Sequence, residues 1–577
     1  MLLCDRLTQL QKRDSKSGIL VSIRSNFLCR LPELFWILVI NSRGQVVRSA
    51  SKRFFLLPLI LLFSGTAITG ADELQKTPSD QERPNIIFLL ADDQCTYSMG
   101  CYGTPNVQTP NMDQLAQDGL VFDKHYDTTA ICMASRVNIM TGKYEYKAGC
   151  NFDSGPLLEE HWMESYPILL REAGYRTAFA GKFGFEVSKN PKGKSWLPEK
   201  DFDVWGGGPG QTSYQTGRNP AMKQYAKDYP HSTLSYGAFG RDFILDSAKQ
   251  DRPFCLSISF KAPHHPTTPD PKFDQIYQGK NFVKPMNFGR EYGLHFADQS
   301  RLGRQYERFH SWHYSDDYDT VMAIYYQQIY AIDVALGMIR DALRDAGVQG
   351  ETVVIYTSDN GFLCGSHGYG SKVLPYEESS RVPLIIYDPR KSVPEAQQKK
   401  QLLRTQPLEA SESRVKDLAI REDDQPVIQD LSWYRRCGAL TGNVDIAATI
   451  LALAGLPQPS EMDGKDLMPL YDNPEQGHHA WLPLINVWGP SAVHSFSVVT
   501  PDWKFIRWPS VENGMEPTEE LYHLKSDPLE ITNLIDVRDM AADQSRMRAL
   551  YDQAVLHWQD EGVSYHGYPQ HGQKMKR

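Results

Sequence analysis

The sequence predicts an α/β protein with a large, mostly parallel sheet sandwiched by helices. A smaller C-terminal α+β domain with a short antiparallel sheet follows it. Three observations carry this reading. Short continuous apolar runs end abruptly in polar or charged residues, as strands buried on both faces do. Helical patterns lie between those runs, and the C-terminal stretch holds only short strand-like pieces.

The first 71 residues read as leader. Lys52 and Arg53 precede the apolar run Phe54–Phe63, and Thr69-Gly70-Ala71 offers small residues for cleavage. That order of basic, apolar and small segments marks a secretory signal over residues 51–71. Residues 1–50 contain no Met after the first, so they are expected to be an over-extended start. The protein is then expected to be exported, periplasmic or secreted, with a signal-anchored form as the alternative.

Beyond the leader, Pro84–Leu90 is an apolar strand that stops at Ala91-Asp92-Asp93. A helix is expected from Thr109 as cap and Pro110 in its first turn to Gly119, and Leu120-Val121-Phe122 is the next strand. Ser165–Ala173 reads as helix up to Gly174, and Arg176–Ala180 as a strand running into Gly181-Lys182. Two further strands, Phe254–Phe260 and Thr352–Thr357, run into Lys261-Ala262-Pro263-His264 and Ser358-Asp359-Asn360. Between them Tyr325–Ala346 places Ile329, Ile332, Leu336, Ile339 and Leu343 on one helical face. The charged, poorly periodic region Pro389–Gln429 reads as an excursion, and Leu440–Leu453 as a helix. Ser495–Thr500, Trp503–Trp508 and Glu520–Leu524 are the strand-like pieces of the small domain. The expected division is a catalytic domain over 84–485 and a C-terminal domain over 486–577.

At 577 residues the chain exceeds one ordinary core, and 41% hydrophobic with 23% charged residues is a globular profile, not a disordered one. The leader carries ten Lys/Arg against three Asp/Glu, a net of +7, and removing it from the total of −9 leaves −16. Such an acidic body argues against a broad nucleic-acid or anionic-membrane surface. No apolar run beyond the leader reaches the roughly 20 residues of a membrane span. Nine cysteines, two of them in the leader, show no CxxC spacing, so zinc and redox motifs have little support. Cys101 and Cys150 can be read as a pair or as free core thiols.

In open α/β sheets, ligands bind beyond the carboxyl ends of strands, so residues distant in sequence can converge there. Asp92 and Asp93 end one strand, and Asp359 and Asn360 another. Three carboxylates and an amide oxygen suit a hard divalent cation, calcium before magnesium, though each pair alone fits a solvated turn equally well. Cys132 opens Cys132-Met133-Ala134-Ser135-Arg136 ahead of a helix to Gly142. At a helix start it faces orphan N–H groups suited to an anion, but a buried thiol beside a cap is the plain alternative.

Together these segments resemble the type I, formylglycine-dependent sulfatases of the alkaline phosphatase-like superfamily. The match runs from Asn85-Ile86-Ile87 through Cys132-x-Ala-Ser-Arg and Thr141-Gly142-Lys143 to Asp527-Pro528. The resemblance implies hydrolysis of sulfate monoesters, most plainly on a sulfated carbohydrate, by the hydrate of an aldehyde made from Cys132. It implies one calcium ion held by Asp92, Asp93, Asp359, Asn360 and modified Cys132. It assigns Arg136 to fixing the formylglycine, Lys182 and Lys372 to the sulfate, and His264 to the leaving group. His265 is expected to contact substrate or to belong to a surface loop. Ala134 stands where many relatives have Pro, which resembles substrates of radical-SAM maturases and implies such a partner.

One departure concerns the family's Gly-Lys-x-His, which here reads Gly181-Lys182-Phe183-Gly184. His265, His367 or water is left to take the role of the missing imidazole. Two other functions stay open at this point: a phosphomonoester or phosphodiester hydrolase of the same fold, and a non-catalytic protein that binds sulfated glycans.

Overall fold

The computed structural model describes residues 83–391 and 431–577. The expected start segment, the signal and nearly all of the 389–429 excursion lie outside the described residues. Eight strands form the main sheet: β1 Asn85–Ala91, β2 Leu120–Tyr126, β3 Arg176–Lys182, β4 Val204–Gly208, β5 Phe254–Ser259, β6 Thr352–Ser358, β7 Leu384–Tyr387 and β8 Arg436–Gly442. Their order in space is β8-β2-β7-β6-β1-β5-β3-β4. All pairings are parallel except those of β7, which runs against both β2 and β6. The large, mostly parallel sheet is therefore as expected.

Both faces of the sheet are covered. Along β1, Ile87 and Leu89 enter one core while Ile86, Phe88 and Leu90 enter the other, the two-residue alternation of a strand between two helix layers. The described helices used below are α1 Pro110–Asp118, α2 Cys132–Thr141, α3 Tyr166–Glu172, α4 Ser232–Ser247, α5 Arg304–Ser311, α6 Tyr318–Asp345, α7 Asp445–Leu453, α8 Ala541–Glu561 and α9 Tyr568–Lys574. Helices α1, α4 and α6 supply the first core, and α2, α3 and α7 the second. Close approach of α4 to α6 is permitted by Gly237 and Gly240, which lie against Ala335 and Ile339.

Two local expectations are corrected. Leu440–Leu453 is not one helix: Leu440, Thr441 and Gly442 close β8, which pairs with β2, and α7 starts at Asp445. Sheet pairing overrides the helical pattern of that segment. Thr109 does not cap α1 through its side chain. The cap comes from Asp333 of α6, which accepts from the Met112 and Asn111 backbone N–H groups at 2.8 and 3.2 Å and from Asn111 Nδ2 at 2.9 Å.

The C-terminal part contains a four-stranded antiparallel meander, β9 Leu482–Asn486, β10 Ser495–Val499, β11 Lys504–Trp508 and β12 Thr518–Tyr522. Its apolar face packs on α8, with Phe496 against Tyr551 and Trp558 and Phe505 against Tyr551. Lys504, fully buried, ion-pairs with Glu377 at 2.7 Å and Glu530 at 2.8 Å. All seven described cysteines are buried free thiols, so Cys101 and Cys150 are core residues. Among the described residues, no helix is long and apolar enough to cross a membrane.

Candidate active site

The register of the central strands brings the polar residues together. Leu90 of β1 lies beside Ser259 of β5, Ala91 beside Ser358 of β6, and Gly181 of β3 beside Ser259. The next residues, Asp92-Asp93, Asp359-Asn360, Lys182 and the loop to His264, therefore emerge at one edge. Asp92, Asp93 and Asp359 offer oxygens within 4.8 Å of one another. Asn360 donates its amide to Asp93 Oδ1 at 2.8 Å, and the Asp93 backbone N–H donates to Asp359 Oδ1 at 3.2 Å.

Helix α2 delivers the nucleophile candidate. Cys132 is its first residue, and Cys132, Asp92 and His264 also have ligand atoms within 4.8 Å of one another. One turn on, fully buried Arg136 forks onto Asp359 Oδ2 through Nε at 2.8 Å and Nη2 at 2.7 Å, and its Nη1 reaches the Lys182 carbonyl at 2.7 Å. A buried guanidinium is tolerated only when its donors are met in this way. Lys182 Nζ meets Asp92 Oδ2 at 2.5 Å, and Lys372 Nζ ion-pairs with Asp93. Lys372 is presented by a loop in which Ser371 and Val373 both adopt positive φ.

Charge compensation sets the protonation states. Burial would raise Asp92, but Lys182, His264, Arg136 and Lys372 outweigh it and hold its carboxyl well below the usual range. Burial and the Asp92 charge push Asp359 up to about 6. Burial lowers His264 to about 4, against the pull of Asp92 and Asp93. Burial disfavours the Lys372 ammonium, yet Asp93 and its neighbours raise its proton affinity above the ordinary value.

The donor set fits a hard cation. Asp92 Oδ1 and Asn360 Oδ1 are buried without a hydrogen-bond partner, and an unpartnered buried oxygen is costly unless something positive meets it. Three carboxylates and an amide oxygen, outnumbering the one imidazole (His264) and one thiol (Cys132) beside them, match the oxygen preference of calcium or magnesium.

The remaining expectations divide. His264 faces the carboxylates, its Nε2 4.0 Å from Asp93 Oδ2. His265 stacks on Trp312 at 4.1 Å between ring centres, at the rim. Beyond it a cavity of about 340 Å³ opens beside Pro263, Trp312 and Phe362. His367 is fully buried and tied to the Tyr292 carbonyl and the Asn287 amide, so it packs the core and does not reach the reacting centre. Gly184 sits at φ +91, and a β-carbon there would come within 2.5 Å of Arg136 Cδ.

Sequence reading missed Gln211 and Lys261. Gln211 Nε2 lies 3.8 Å from Cys132 Sγ, and Lys261 Nζ donates to the Gln211 carbonyl at 3.0 Å. Lys261 carried a signal, since it directly follows the β5 run; Gln211 sits in a Gly-rich loop with none.

Residues 84–456 match the family described as Sulfatase, and residues 430–555 match one described as N-sulphoglucosamine sulphohydrolase, C-terminal. N-acetylglucosamine-6-O-sulfatase of Bacteroides thetaiotaomicron is 26% identical over 573 residues, covering 87% of this chain and 92% of its own length. A structure solved in complex with its substrate D-glucosamine-2-N,6-O-disulfate superposes with a TM-score of 0.61 at 23% identity, over 83% of this chain and 98% of the other. The phosphonate monoester hydrolase of Agrobacterium radiobacter superposes at 0.59 with 18% identity, over 83% and 96%. The structural likenesses establish the alkaline phosphatase-like fold, and the match across well over half of the sequence establishes that this chain belongs to the sulfatase family of enzymes.

Proposed function

We propose that this enzyme is exported and hydrolyses sulfate monoesters of a sulfated carbohydrate, with an aldehyde made from Cys132 and one calcium ion. The observation that carries the reading is the convergence of Cys132, Asp92 and His264 within 4.8 Å, beside the carboxylates Asp93 and Asp359. The name of the Bacteroides relative supports the sugar class.

Asp92, Asp93, Asp359 and Asn360 would hold the cation, which when bound neutralises charge on the sulfuryl oxygens. The hydrate of the aldehyde offers two hydroxyls on one carbon, one to attack sulfur and one through which sulfate is later released. Arg136 fixes the orientation of Asp359 and of the Lys182 carbonyl, so the helix start and the strand end cannot drift apart. Lys182 and Lys372 pair with Asp92 and Asp93 and present positive charge to the sulfate. His264 is neutral in the free site; an arriving sulfate raises its proton affinity, and it then delivers a proton to the departing sugar oxygen.

Replacing Cys132 by Ala in protein made in its own host tests this. Sulfate release from sulfated sugars is expected to fall by at least about a thousandfold, toward the residual level typical of lost nucleophiles. A fully active C132A enzyme sinks the mechanism. The unaltered enzyme is expected to turn over sulfate esters ahead of matched phosphate esters; the reverse ranking would favour a phosphohydrolase. Maturation is assigned to a radical-SAM partner because Ala134 follows Met133 where Pro is common, and efficient conversion by an oxygen-dependent generator alone would refute that partner.

A further inference from the structure

Helix α5 carries two arginines one turn apart, Arg304 and Arg308, whose contacts among the described residues are to tryptophan rings and a serine hydroxyl, with no ion pair to a carboxylate. Both stand at the mouth of the active site. The Arg304 guanidinium lies 4.4 Å over the Trp488 ring. Trp488 packs against Ile131, Ala134 and Val373, the neighbours of Cys132 and Lys372. Arg308 donates from Nη1 to Ser371 Oγ at 2.6 Å, the residue before Lys372, and lies 4.2 Å over Trp312. Trp312 in turn stacks on His265.

Two like charges spaced i, i+4 disfavour a helix, and among the described residues neither forms an ion pair that would offset this. Burial and then the charge of Arg304 lower Arg308 to about 10, against the pull of Asp93. Their guanidinium forks suit a tetrahedral or planar oxyanion, and the rings of Trp488, Trp312 and Phe152 (6.0 Å from Trp488) supply faces for sugar rings between the anions.

We propose that Arg304 and Arg308 form an anion subsite at the mouth of the active site, which recognises a second negative group on a carbohydrate whose scissile sulfate lies at Cys132. The substrate class is thereby narrowed to sugars bearing more than one anion, either a second sulfate or a uronate carboxylate. This rests on the sulfatase reading above.

The test uses full-length enzyme matured in its host and three disaccharides: monosulfated, disulfated, and monosulfated with a uronate. 4-Nitrophenyl sulfate serves as the check that ester hydrolysis itself occurs. The native enzyme is expected to prefer one of the dianionic sugars, chiefly through KM. Arg304→Ala should cut the ratio of kcat/KM for dianionic over monosulfated sugar by about tenfold or more, as loss of a charge-assisted contact does. Arg304→Lys, which keeps the charge without the fork, should restore part of that ratio. Comparing the disulfated and uronate arms identifies the anion. Arg304 is exposed, and an unchanged melting temperature confirms that the variant folds. An unchanged ratio in Arg304→Ala overturns the subsite and leaves the arginines as packing on tryptophan. If even 4-nitrophenyl sulfate is not hydrolysed, the hydrolytic reading fails instead. The subsite is then read from calorimetric Kd ratios for the same sugars, and a ratio unmoved by Arg304→Ala overturns it equally.

Discussion

Gly184 stands where the family resemblance calls for a histidine, at φ +91 and with Arg136 Cδ 2.5 Å from the position of a β-carbon. A side chain there carries both the backbone cost of the left-handed region and a clash with a buried guanidinium that already holds Asp359. Restoring the familiar residue is therefore expected to harm the enzyme. Gly184→His should lower stability by about 2 kcal/mol or more and reduce sulfate release, measured by melting and by turnover on one sulfated sugar. A variant with raised activity and native stability would contradict this packing account. Gln211 approaches Cys132 and Lys261 holds the Gln211 carbonyl, an arrangement no local motif announces because the two residues lie 50 positions apart.

Among the elements, strand ends were the most legible part of the sequence. The breaks at Asp92, Lys261 and Asp359 each fall just past a strand end, and Lys182 is the last residue of β3, because an apolar strand buried on both faces tolerates charge only at its end. The strand Arg436–Gly442 was hidden because its apolar spacing continues into α7, and only pairing with β2 separates them. The cap of α1 was hidden for a similar reason: Asp333 lies 221 residues from Met112 and reaches its N–H from another helix. That long-range cap ties α1 to α6. Asp333→Ala leaves the Met112 N–H buried and unpaired and the half-buried Asn111 donors unmet, at an expected cost of about 2–4 kcal/mol. Denaturant unfolding that shows a loss below about 0.5 kcal/mol would mean the helix finds another cap.

For the molecule as a whole, the described chain is also closed by its C-terminus. Tyr568 of α9 donates to Glu145 Oε1 at 2.8 Å across 423 positions, and the Asn151 amide donates to the same oxygen at 2.5 Å. Burial pushes the Glu145 carboxyl up to about 7, only partly offset by those donors. Folding thus favours its protonated form. The stability it contributes is present in full below about pH 4.5 and is lost as pH rises through 7, on the order of 3 kcal/mol. Glu145→Gln keeps an oxygen for both donors and removes the titration, so its melting temperature should fall less between pH 5 and 8 than that of the unaltered protein; parallel curves would refute this. The fold and most of the site were readable because family motifs fall at strand ends, whereas the rim, with Arg304, Arg308 and Trp488, depends on contacts that only the folded chain makes. The central claim concerns the chemical state of one atom group. The most direct measurement is the mass of the tryptic peptide His125–Arg136 from active protein made in its own host. An aldehyde or its hydrate at position 132 is the predicted result; an unmodified Cys132 thiol in protein that nevertheless releases sulfate would contradict the account.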